Sequence, residues 1–119
     1  MDQGILISCG IEYADGLRRC MDNDALYERM LLQYVDDPCV AQAERAFAAG
    51  DMEGLSAAVH NLKGSSGTLS LTPVYELTSK MMVDLRSGDL QNLPEQMAQL
   101  RARNDALCAA IRRATGKAE

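Results

Sequence analysis

A chain of 119 residues suffices for one domain, is short for two, and can bury a core without disulfides or a structural metal. Hydrophobic residues at 47% and charged residues at 24% give a globular balance. Twelve basic against seventeen acidic residues leave a net charge of −5, so no nucleic-acid partner is expected, and no apolar stretch reaches the roughly 20 residues of a membrane span.

The first ten residues are weakly patterned and are expected to be loose, with the domain running from 11 to 115. Their short run Ile5-Leu6-Ile7 lacks the basic flank and length of a signal peptide, so a cytoplasmic location is expected. A short helix follows over Glu12 to Cys20 and ends in the polar turn Met21-Asp22-Asn23. Asn23 caps the next helix, where Leu26, Met30 (or Leu31) and Tyr34 keep helical spacing. Pro38 either breaks or kinks that helix, or sits in the first turn of a successor reaching Ala49.

Gly50-Asp51 reads as a stop followed by an N-cap, opening a helix from Met52 to about Ser70. Thr72-Pro73 reads as a cap with proline at the first helical position, and Gly88 ends that helix after Ser87. Asn92-x-x-Glu95 has the form of a capping box for a last helix to about Arg113. Its apolar stripe, Leu93, Met97, Leu100, Leu107 and Ile111, is interrupted by Asn104. Short connections between long amphipathic helices favour antiparallel neighbours. The expected fold is all-α: an antiparallel up-down four-helix bundle with a short extra N-terminal helix, present as a monomer.

The four cysteines form no C-x-x-C pair and read as reduced, mostly buried thiols. The single histidine, His60, excludes His-rich zinc sites, H-E-x-x-H proteases and di-iron bundles, so no metal site is expected. On a wheel at about 100° per residue, Leu55, Ala58, Val59, Leu62, Ser66 and Leu69 fill one arc. His60 lies opposite, with Glu53, Ser56, Ala57, Lys63, Gly64 and Gly67. Two mid-helix glycines each cost about 1 kcal/mol relative to alanine. Placed at +4 and +7 from His60, Gly64 and Gly67 clear the approach to the ring. Lys63 at +3 brings a cation to any anion on it. Met81 and Met82 on the next helix fall near the level of His60 and read as core or groove lining.

An imidazole in water titrates near pH 6.5, so an exposed ring is largely a neutral nucleophile at pH 7. With a neighbouring cation and a clear approach, it suits receiving a phosphoryl group, a reaction governed by positioning and charge neutralisation. The chain has no P-loop or nucleotide loop to supply the donor, and Ser65, Ser66 and Thr68 lack a base to act as nucleophiles.

The segment His60-Asn-Leu-Lys63-Gly64-Ser-Ser resembles the H-x-x-K-G-[SA] signature of histidine-containing phosphotransfer (HPt) domains. Upstream, Ala48-Ala49-Gly50-Asp51…Leu55…Ala58 is similar to that family's approach to its active helix, and a looser similarity spans about 11 to 113. The resemblance implies a phosphorelay carrier without autonomous kinase activity. His60 would take a phosphoryl group from a receiver-domain aspartate and pass it to another receiver, of a response regulator or hybrid sensor kinase. Lys63 would stabilise the group, Gly64 would allow docking, and Mg²⁺ would sit only on the receiver, with no cofactor on this chain. Many members have glycine ten residues after the histidine; here Ser70 stands there. A rival expectation is a helical adaptor that binds a receiver or kinase without being phosphorylated. It gains if Ser70 or a neighbour covers His60.

Overall fold

Seven helices make up the computed structural model, which describes residues 1–116: α1 (Gln3–Ser8), α2 (Tyr13–Arg19), α3 (Asp24–Val35), α4 (Cys39–Ala49), α5 (Met52–Thr68), α6 (Thr72–Ser87) and α7 (Leu93–Thr115). The fold is all-α, as the periodicity requires. Among the described residues no helix is long and apolar enough to cross a membrane.

Local chemistry sets most of the boundaries. The Asn23 side chain accepts from the Leu26 amide at 3.1 Å, and Asp51 accepts from Gly54 at 2.9 Å, so each satisfies a free amide at a helix start. Gly50 and Gly88 close α4 and α6 in the left-handed conformation that glycine adopts without a Cβ clash. Two expected caps do not form. Leu71, not Thr72, holds the cap position of α6, and the Thr72 hydroxyl donates to Glu12 instead. Asn92 has ψ near 2°, outside the extended region an N-cap needs, so its side chain makes no cap bond and no box forms with Glu95.

The apolar faces of α4, α5, α6 and α7 meet in sequence, and α4 returns to α7, closing an up-down four-membered ring. α3 lies in tandem with α4. Pro38 caps α4 without a side-chain bond, so the chain breaks there rather than kinking. α4 runs beside the first half of α5, and α3 runs beside the second half. Asn104, the polar residue in the stripe of α7, is buried and accepts from the Tyr34 hydroxyl at 2.6 Å, fastening α3 to α7. A second buried tie joins α6 to α7, where the Gln96 amide donates to Asp84 at 2.9 Å and Lys80 donates to its other oxygen at 2.8 Å.

The N-terminal ten residues are not loose as expected. Asp2 caps α1, Leu6 is fully buried, and the Asp2 amide donates to the Ala114 carbonyl, fixing α1 against α7. Burying one leucine contributes about 1.5–3 kcal/mol, enough to hold a two-turn helix that has no periodicity long enough to detect. The fold therefore has two short helices before α3 instead of one. The core also includes the buried thiols of Cys20 and Cys108; all four cysteines are free.

Candidate functional site

Helix α5 divides as the wheel requires. Leu55, Ala58, Val59, Leu62, Ser66 and Leu69 are buried, whereas Glu53, Ala57, His60 and Gly64 are exposed. Ser56, Lys63 and Gly67 are half-buried at the border. His60 thus stands on the outer face of a helix anchored along its whole inner face. The hydroxyls of Ser65, Ser66 and Thr68 turn back onto helix carbonyls at Asn61, Leu62 and Gly64, at 3.2, 2.6 and 2.9 Å. Bound to their own backbone, they do not project toward the ring.

The two glycines beside His60 do different things. A Cβ on Gly64 would meet nothing within 4 Å outside its own turn, so the surface next to the ring is open. A Cβ on Gly67 would lie 2.9 Å from the ring of Tyr75, which packs across it from α6. Gly67 was expected to clear a docking path; its missing side chain instead seats Tyr75. Nothing in the sequence pattern singled out Tyr75, because the contact joins two helices.

That contact also fixes the register between α5 and α6. Counting one turn at a time along these antiparallel helices, Ser79 stands opposite Lys63, Met82 opposite His60, and Arg86 opposite Ser56. Lys63 therefore leans to the α6 side of the histidine. Met81 and Met82 are both buried, so they belong to the core and not to a docking groove. On the other flank an open groove of about 320 Å³ separates α3 from α5, with Met30, Gln33, Gly64 and Thr68 on its walls.

Ser70 does not cover His60. It is buried beyond the end of α5 with φ +59°, and its hydroxyl donates to Asp15 at 2.6 Å. The left-handed backbone explains why glycine suits this position. Here serine keeps the conformation and turns its side chain into a tie to α2. The bond from Ser70, with Arg19 and Arg18 beside it, holds the Asp15 carboxyl below the usual carboxylate range. Because the folded pKa is lowered, this tie stabilises the protein at neutral pH and is lost as pH falls below about 4. Ser70→Ala should shift the Asp15 titration, followed by carboxyl NMR, back up toward its ordinary value. Ser70→Gly, which also relieves the left-handed strain, should be more stable than Ser70→Ala by about 1 kcal/mol in urea unfolding. Equal stabilities would mean that the backbone there is not strained.

A family model for the Hpt domain matches residues 29–110, which takes in the break at Pro38, all of α5 and α6 and most of α7. The chain belongs to the Hpt domain family. Comparison with curated proteins and with solved structures found no match. An Hpt domain is a phosphotransfer-capable helical domain of two-component signalling that interacts with receiver domains, and its members are phosphocarriers rather than autonomous kinases. In this Hpt domain the histidine of the motif is an exposed residue at the middle of α5.

Proposed function

We propose that His60 carries the phosphoryl group of a phosphorelay, taking it from a receiver-domain aspartate and passing it to a second receiver. The observation that supports this most is the exposed His60 beside the open space at Gly64, on a helix whose opposite face is packed in the core. A ring nitrogen attacks phosphorus, a P–N bond forms, the P–O bond to the aspartyl carboxylate breaks, and the carboxylate departs. The reverse step on the next receiver restores the imidazole. Lys63 places a cation on the α6 side of the transferring group, where negative charge spreads over the phosphoryl oxygens. The divalent cation belongs to the receiver, and the Hpt chain works as a monomer.

The test is incubation with a panel of phosphorylated receiver domains. Label that is lost in acid and kept in base is expected on the wild type, and no label from any receiver would sink the proposal. Gly64→Gln tests the open approach separately. Its side chain points into empty space, so the melting temperature should stay within a few degrees of the wild type. Transfer from a receiver should slow about a hundredfold, because misplacement by about 1 Å costs that much. Transfer at the wild-type rate would remove Gly64 from the docking surface.

A further inference from the structure

The groove between α4 and α5 offers a second flank to the same site. It is open, about 410 Å³ in volume, and walled by Gln42, Arg45 and Ala46 on one side and by Ala57, Ala58 and Asn61 on the other. Arg45 thus shares the groove with Ala57, Ala58 and Asn61, which flank His60 on α5. Arg18, Arg19, Lys80 and Arg101 are committed to carboxylates of their own chain. Among the described residues, Arg29, Arg45, Lys63, Arg86, Arg103, Arg112 and Arg113 make no such pair; of these, Lys63 lies on the helix of His60, and Arg45 and Arg86 lie on α4 and α6, the two helices packed most extensively against it. The carboxylates of α5 and its cap are Glu53, two turns before His60, and Asp51, which accepts from the Gly54 amide and lines the same groove as Arg45 without pairing with it.

Although the chain carries a net charge of −5, the helix of its one histidine and the two helices packed most extensively against it each present an unpaired cation. Resting on the phosphotransfer proposed above, we infer that this face docks an acidic patch on the receiver, with Arg45 as a specificity contact on the α4 side. The receiver's reacting group is an acyl phosphate on an aspartate, so negative charge on the partner is part of the chemistry. Cations on the rim steer the approach of a negatively charged partner face to a chain that is itself acidic overall. A rim charge acts on association and its salt dependence and leaves the bond-making step alone.

The experiment compares the wild type with Arg45→Gln and Arg45→Glu in the full chain, using the receiver that labels the wild type fastest. At low salt, kcat/KM for transfer should fall about threefold for Arg45→Gln and about tenfold for Arg45→Glu, within the range of steering effects. In 0.5 M salt the three should converge, because the screening length shrinks to a few ångströms. Labelling by phosphoramidate, a small donor with no docking surface, should be the same for all three. Transfer by Arg45→Glu at the wild-type rate in low salt, or phosphoramidate labelling that falls in step with receiver transfer, would overturn the role of Arg45 alone. A wild type that takes no phosphoryl group from phosphoramidate or from any receiver would overturn the phosphotransfer itself, and this inference with it.

Discussion

His60→Gln should take no acid-labile label from receivers or from phosphoramidate, and should unfold at the wild-type temperature. The two halves of this result have separate causes. The imidazole is the only one in the chain, and the glutamine amide is not a nucleophile toward phosphorus, so the loss is complete and not graded. The side chain is exposed on the face of α5 opposite the core arc, and substitutions at such positions usually change stability by less than about 0.5 kcal/mol. Urea unfolding and label counting on the same preparation check both. Residual acid-labile label on the variant would place the phosphorylated group elsewhere, and a large drop in stability would mean that the ring supports the fold.

Gly16→Ala has the opposite profile, a large loss of stability at a residue far from the ring. Gly16 on α2 is buried beneath Tyr27, whose hydroxyl donates to the Leu69 carbonyl at 2.7 Å. A Cβ at this position would overlap the Tyr27 hydroxyl and lie 2.9 Å from the Leu69 carbonyl oxygen. Neither neighbour can move freely: Tyr27 has no exposed surface, and Leu69 is the C-cap of α5. Overpacking costs about 1–3 kcal/mol, and breaking a buried hydrogen bond on both sides adds about 1–3 more. A loss of about 2–6 kcal/mol should lower the melting temperature by about 10 °C or more. Tyr27→Phe in the same background should recover only a small part of the loss, because it removes the overlapping oxygen while the ring carbon Cζ still crowds the added Cβ. A Gly16→Ala protein as stable as the wild type would show that α2 shifts freely against α5.

These two residues mark what could and could not be read along the chain. The outward position of His60 and the inward arc of α5 follow from 3.6-residue periodicity alone, and the caps at Asn23 and Asp51 follow from side chains that reach only three residues. The seat of Tyr75 on Gly67, the lock of Tyr27 over Gly16, and the bond from Ser70 to Asp15 join residues that no local pattern connects. The packing role of Gly67 was hidden for that reason: a glycine on the histidine's stripe looks the same whether it faces solvent or a tyrosine from the next helix. Helix α1 escaped because six residues with one buried leucine are too short for a period to show. Thr72 and Asn92 have cap chemistry, but the backbone at those points left their side chains no amide to serve.

The family match begins at residue 29, inside α3. The end of the helix that carries His60 is nonetheless held by groups that come before it. Ile11 bridges Leu71, the Glu12 amide donates to the Ser70 carbonyl, Asp15 receives the Ser70 hydroxyl, and Tyr27 holds Leu69. The cooperative unit therefore starts well upstream of the matched segment. Opening of α2 and fraying of the last turn of α5 should appear in hydrogen exchange as one event, not two. Substitutions in residues 11–27 should accordingly change the rigidity of the helix that carries His60 without altering any residue next to it in the chain.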